Sequence, residues 1–161
     1  MPDVFVALGS NVEPERHLHR ALADLERHCG SLRRSGIYRS PAFGFAGPDF
    51  LNVVVGFGSV GGPDAVTELL TMLENSAGRS RAGSGSILCP LDLDLLLCGR
   101  RVDPSRRLPR GDILRHAFVL APLAELVPEL AHPVTGDPIG AAWEAMAATN
   151  PSLTKLRGVR V

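Results

Sequence analysis

Lysine is almost absent from this chain: of its 17 basic residues only Lys155 is not arginine. That skew reads first as genome base composition. It becomes chemically informative where guanidiniums cluster, because arginine matches carboxylate and phosphate geometry. An excess of charge is absent too, with 17 basic against 17 acidic residues. Nothing global therefore draws the chain to nucleic acid or to a membrane surface. Cysteine is sparse, and Cys29, Cys89 and Cys98 are an odd set without CxxC spacing. That argues against a disulfide framework or a cysteine metal centre and suits a reducing compartment. No apolar run approaches a membrane span, and the N-terminus lacks signal-peptide form. The expectation is a cytoplasmic protein, monomer or homodimer, that acts on small molecules and has no nucleic-acid or membrane partner.

What is present is ordinary globular composition, 45% hydrophobic and 21% charged over 161 residues. This fits one domain spanning residues 1–161, large enough for a real core. VFVALG (4–9) reads as a first strand. Residues 14–28 carry Leu18, Ala21, Leu22 and Leu25 at helical spacing. SLRRSGIYRS (31–40) reads as a second strand, SPAFGFAGPDF (40–50) as a loop, and FLNVVVGFGSV (50–60) as a third strand. A helix follows from Gly61 to about Ala77, with Val66, Leu69, Leu70 and Leu73 inward. The stretch 79–90 is a small-residue loop, 90–99 a strand, and 116–130 and 139–148 are helices. The order β-α-β-β-α-β followed by helices predicts an α+β, ferredoxin-like sandwich with an antiparallel-rich sheet.

The chemistry concentrates in PLDLDLLLCG (90–99). A strand puts residues i and i+2 on one face, so Asp92 and Asp94 point together while Leu91, Leu93 and Leu95 point the other way. Unpaired neighbouring carboxylates are costly to bury. Either the face is solvated, as on an edge strand, or a cation sits there. Mg²⁺ suits two such acids, because it takes a few carboxylates and completes its shell with substrate phosphate oxygens. Arg79 and Arg81 upstream, with Arg100, Arg101, Arg106, Arg107, Arg110 and Arg115 downstream, suit a polyphosphate.

In the 40–50 loop, Phe43, Phe45 and Phe50 can stack on a flat heterocycle, and Asn52 can read its hydrogen-bonding edge. A single Phe of this set, Phe50 above all, reads equally well as core. In LGSN (8–11), Ser10 or Asn11 is a candidate helix cap. His116 and His132 read as surface residues before they read as ligands. GSG (83–85) lacks the spacing and lysine of a phosphate-binding P-loop.

Taken together, VALGSN, IYRSPAFG, GPDFLN, LDLDLLL after a basic loop, and AFVLAPLAEL with a following PEL resemble the 6-hydroxymethyl-7,8-dihydropterin pyrophosphokinase family over residues 3–130. The resemblance implies transfer of diphosphate from ATP to a pterin hydroxymethyl group, with two Mg²⁺ ions and release of AMP, in folate biosynthesis. It implies that Asp92 and Asp94 hold the metals. It implies a pterin pocket of Ser40, Pro41, Phe43, Phe50, Asn52 and Phe118, and a nucleotide site of Glu74, Arg79 and Arg81, to which Arg110, Arg115 and His116 are expected to add where the chain departs from the family. Arg79 and Arg81 would share the catalytic role with the two aspartates.

The chain also departs from that pattern. The family's loop resembles RWGPRTLDLD, whereas GSILCPLDLD stands here, with Ser86 at the Trp position and Cys89 at the Arg position. Downstream, a PHPRMHERAF-like run is PRGDILRHAF, so its first His is Arg110 and its Arg before Ala-Phe is His116. Arg110 and Arg115 are near enough to compensate. A weakened enzyme, a pterin- or nucleotide-binding paralogue, and a transferase for a different heterocycle are the readings that these departures leave open. The 79–90 loop is expected to be mobile without ligand and to close over ATP.

Overall fold

The computed structural model describes residues 3–58, 61–78, 87–150, 152–159 and 161. Strand β1 (Val4–Ser10) runs between two antiparallel neighbours, β4 (Phe50–Phe57) and β5 (Asp92–Cys98). Strand β3 (Tyr38–Ser40) adds beyond β4, and β6 (Thr154–Lys155) adds beyond β3. The sheet order is β5-β1-β4-β3-β6, with the short β2 (Arg33–Arg34) also pairing with β4. All these pairings are antiparallel. This bears out the α+β architecture expected from the element order.

The sheet has apolar residues on both faces. Val4, Val6, Leu8, Leu51, Val53, Val55, Leu91, Leu93 and Leu95 pack against two helices, α1 (Pro14–Cys29) and α2 (Gly62–Ala77). The α1 contribution is Leu18, Ala21, Leu22 and Leu25, the stripe expected from its spacing, and α2 contributes Val66, Leu70 and Leu73. Leu69 packs at the margin of that core, only partly buried. Removing a fully buried leucine such as Leu22 to alanine would cost about 2–5 kcal/mol. The opposite face, with Phe5, Val54, Leu96 and Leu97, lies under α3 (Ala117–Leu126) and α4 (Ile139–Ala147). Helix α3 is apolar nearly all round, as a helix with neighbours on several sides must be.

Some boundaries differ from expectation for identifiable reasons. The strand expected at 31–40 is two strands, broken at 35–37. Ser35 keeps contact with β4 through its own N–H to the Val54 carbonyl and through its Oγ, which accepts from Val54 N–H. The Gly36 N–H is drawn away to the Glu125 carboxylate on α3. The helix expected to reach residue 130 ends at Leu126, where Pro128 disfavours the helical conformation for Val127, which sits at φ −139° and ψ 61°. The third strand ends at Phe57, and positions 59 and 60 of the expected strand lie outside the described residues. Strand β6 carries no pattern long enough to read from sequence. His132, expected at the surface, is buried, and its Nδ1 accepts hydrogen bonds from the N–H groups of Val134 and Thr135.

Among the described residues no helix is long and apolar enough to cross a membrane. Residues 79–86, with Arg79, Arg81 and Ser86, lie outside the described residues, as do most of the loop expected to be mobile and its GSG segment.

Candidate active site

On the α3 face of the sheet the side chains shrink toward one end of β1. Phe5 fills the space beneath α3, but Ala7 and Gly9, on the same face, leave it open. The register sets the neighbours of this gap. Ala7 lies opposite Asp94 on β5, while Gly9 lies between Asp92 on β5 and Asn52 on β4. A side chain at Gly9 would come within 3.5 Å of both Asn52 Oδ1 and the Phe50 ring and would raise the floor. Two small residues on the central strand thus create a trough with carboxylates on one bank and a carboxamide on the other.

The walls come from the loop after β3 and from the start of α3. Ser40, Pro41, Phe43, Phe45, Phe50, His116, Phe118 and Val119 complete a cavity of about 180 Å³ over this floor. That is below the roughly 300–1,000 Å³ of sites for drug-sized ligands and suits one flat ring system. Every residue expected in the pterin pocket is therefore present in a single cavity. The rings are already arranged: His116 stacks on Phe118 with centroids 4.9 Å apart and 11° between planes. Phe43 meets the His116 edge at 4.6 Å, and Phe45 meets Phe50 at 6.0 Å. Asn52 is oriented by donating both amide hydrogens, to the Tyr38 carbonyl at 3.1 Å and to Ser40 Oγ at 2.8 Å. That leaves Oδ1, above Gly9, as the acceptor it presents to a ligand.

Asp92 and Asp94 line the same cavity from the edge strand. Solvent reaches Asp92 and Asp94 is half-buried, yet both carboxyls are crowded by protein. Burial raises the pKa of Asp92, with the nearby Glu74 charge adding to it. Burial, then the Asp92 charge, pushes Asp94 up to about 6. The cation that opposes these shifts is Arg110, whose Nη2 lies 3.0 Å from Asp94 Oδ1. Its Nε donates to Asp112 Oδ2 at 3.1 Å. Asp112 also lines the cavity and was not singled out from the sequence; an acid two positions from Arg110 was the available signal.

A second cavity, about 430 Å³, opens on the other side of Asp94. Thr67, Thr71 and Glu74 of α2 line it, with Leu93 and Leu95 of β5 and the basic residues Arg106, Arg107 and Arg110. Glu74 Oε2 accepts from the N–H of Leu93 on the edge strand at 3.3 Å, which ties α2 to the acid-bearing strand. Arg106 is held by Asp64 at 2.8 Å and by Asp103 at 2.7 Å. The residues expected at the nucleotide site are not all gathered here. Arg115 lines a different cavity, with His116, Asn150 and Leu153, and His116 also belongs to the aromatic wall. An imidazole before Ala-Phe stacks on the neighbouring ring, which a guanidinium expected at phosphate would not need to do.

Asn11 does something other than cap a helix. Helix α1 starts at Pro14 with Glu13 in the cap position and no side-chain capping bond. Asn11 is buried, and its Nδ2 donates to the carbonyls of Ile87 at 3.0 Å and Pro48 at 3.4 Å. Its Oδ1 accepts from Cys89 N–H at 2.6 Å, and its own N–H donates to the Cys89 carbonyl at 3.0 Å. One side chain thereby fastens the aromatic loop and the segment entering β5. The Ile87 N–H to Ala46 carbonyl bond, 3.1 Å, joins the two segments directly.

Two carboxylates at the lip of an open trough form an oxygen-only donor pair, which fits a hard divalent cation. Among the described residues no group of three or more His, Cys, Asp or Glu is placed to hold a metal ion. Phosphate and water oxygens would have to complete the shell of an ion placed there.

The chain is similar to known proteins in sequence and in fold. A protein of Porphyromonas gingivalis named 2-amino-4-hydroxy-6-hydroxymethyldihydropteridine pyrophosphokinase is 32% identical over 147 residues, which covers 86% of this chain and 99% of that protein. A protein of the same name from Methylorubrum extorquens is 30% identical over 161 residues, covering 94% and 96%. In fold, the chain is similar to a crystal structure of an HPPK-DHPS in complex with substrates, with a TM-score of 0.74 and 11% identity. It is likewise similar to wild-type HPPK-DHPS of Plasmodium falciparum with pteroate, TM-score 0.76 and 10% identity. It covers 95% and 94% of itself in those matches but about half of those longer chains, 48% and 47%. The family model described as 7,8-dihydro-6-hydroxymethylpterin-pyrophosphokinase (HPPK) matches residues 5–128, and the chain belongs to that family.

Proposed function

We propose that this protein transfers the terminal diphosphate of ATP to the hydroxymethyl oxygen of 6-hydroxymethyl-7,8-dihydropterin, releasing AMP, as a cytoplasmic step of folate biosynthesis. The observation that carries this reading is that Asp94 walls both cavities, one aromatic with a fixed carboxamide and one basic. A heterocycle in the first and a triphosphate in the second would meet at the acid pair.

The chain's own contributions follow from placement. Phe50 and Phe118 would flank the pterin rings, and Asn52 Oδ1 would accept from the pterin edge, with Ser40 fixing the carboxamide. Arg110 and the other basic residues of the second cavity would meet phosphate oxygens. The pterin hydroxyl oxygen bonds to the β-phosphorus, the bond from that phosphorus to the oxygen bridging to the α-phosphate breaks, and AMP leaves with that oxygen. The hydroxyl proton passes to solvent. Asp92 and Asp94 would hold two Mg²⁺ ions shared with the triphosphate, and bound there the ions would neutralise charge as it builds on the phosphates. The reaction needs position and charge compensation, not a covalent enzyme intermediate.

The test is AMP release with ATP, Mg²⁺ and the hydroxymethyl pterin. Turnover that disappears in Asp92→Ala supports the reading. Pterin binding without AMP would make the protein a binding paralogue. Nucleotide binding that needs Mg²⁺, with no affinity for this pterin, would assign it a different acceptor.

A further inference from the structure

Two neighbouring carboxylates need a positive charge beside them, and Arg110 is the side chain placed to supply one. Its guanidinium grips Asp94 with one nitrogen and Asp112 with another, at 3.0 and 3.1 Å. The backbone beneath is fixed. The pairing of β1 with β5 shifts register between Phe5 and Val6, so Leu96 bulges out of the ladder. The Leu96 carbonyl then accepts the Arg110 N–H at 2.9 Å. The side chain faces the 430 Å³ cavity, which gives the guanidinium room to swing from Asp94 without moving its anchor. Arg106, lining the same cavity, is tied to Asp64 and Asp103, away from the acid pair.

We propose that Arg110 is a resident counter-cation of the acid pair: it occupies Asp94 in the free protein and yields it to a metal ion only when a nucleotide triphosphate takes the guanidinium in exchange. This rests on the reading of Asp92 and Asp94 as metal ligands. A guanidinium on Asp94 withholds that oxygen and repels a dication approaching alone. The metal complex of a triphosphate carries its own anionic oxygens, which match the guanidinium in fork geometry. The exchange leaves no charge unpaired, whereas free metal would leave Arg110 facing a dication. Metal and nucleotide binding are therefore coupled, and linkage makes the coupling reciprocal.

Mn²⁺ serves as the probe, titrated by calorimetry and electron paramagnetic resonance with and without a non-hydrolysable ATP analogue. Arg110→Gln is expected to bind Mn²⁺ without nucleotide at least about tenfold more tightly than the native protein, with a smaller further gain from the analogue. Arg110→Lys, which keeps a charge but not the fork, is expected to fall between. Nucleotide-free affinity in Arg110→Gln equal to or weaker than native overturns the proposal. If Asp94→Asn leaves Mn²⁺ affinity with the analogue unchanged, the metal-ligand reading itself fails and takes the proposal with it. Should Arg110→Gln misfold, a crystal of the native protein with Mn²⁺ and the analogue decides: Arg110 on phosphate supports the exchange, and Arg110 still on Asp94 refutes it.

Discussion

The two cavities that meet at Asp94 are built on opposite principles. The aromatic one is finished before any ligand arrives: its rings are in contact, and Asn52 is locked by two hydrogen bonds. In the basic one, two of the three guanidiniums are held by carboxylates, Arg106 by Asp64 and Asp103 and Arg110 by Asp94 and Asp112. Stacking and a neutral amide can wait in place at little cost, because neither carries an unbalanced charge. Guanidiniums and carboxylates are costly to leave unpaired, so they pair with each other. On the proposed function, shape selection of the heterocycle would be preformed, and charge recognition of the nucleotide would be an exchange.

The largest effect should come from the wall that both cavities share. Asp94→Asn is expected to lower AMP release by at least about 10³-fold, since it removes an anionic ligand from the centre where phosphate charge develops. Stopped-flow or coupled turnover checks this, and retained turnover would break the division of labour drawn above. Next, Asn52→Leu strikes only the preformed side. It is expected to reduce kcat/KM for the pterin by about 10²-fold while leaving nucleotide affinity unchanged, because the acceptor for the ring edge is lost. Calorimetric titration with each ligand separates the two.

Asn11→Ala tests what holds the preformed wall. Leaving the Cys89 N–H and two loop carbonyls without their partner is expected to cost about 1–3 kcal/mol in urea unfolding. Pterin affinity should fall with it, and unchanged stability would show that the loops stand without the clamp. The smallest effect lies outside the site. Burial lowers the pKa of His132, and its neutral Nδ1 accepts two backbone N–H groups. A depressed histidine pKa stabilises the fold above the unfolded value of about 6.5, and that stability is lost as pH falls through the folded pKa. Melting temperature should therefore decline from pH 7 to pH 5 less in His132→Asn than in the native protein.

Much of this could be read from residue order. The Leu18, Ala21, Leu22, Leu25 stripe gave α1, and the alternation around Asp92 and Asp94 gave a strand with two faces, because helix and strand periods are local properties. Phe43, Phe45, Phe50 and Asn52 were legible as an aromatic-amide group, the family resemblance added Ser40, Pro41 and Phe118, and all of them share one cavity. Arg115 and His116 stand side by side in sequence before α3 and line one cavity together, but only His116 also reaches the aromatic wall, since the direction in which a side chain leaves a turn depends on what packs around it.

The sequence by itself determined the periodic elements, the paired acids and the aromatic-amide motif, since each is encoded within a few consecutive residues. Only the tertiary structure decided that Gly9 and Ala7 floor the trough, that Asn11 clamps two loops, and that Arg110 is the cation resting on Asp94. Those facts depend on strand register, on one bulge at Leu96 and on contacts between segments far apart along the chain. Such contacts leave no local period, because they arise from how the elements pack and not from what each is made of.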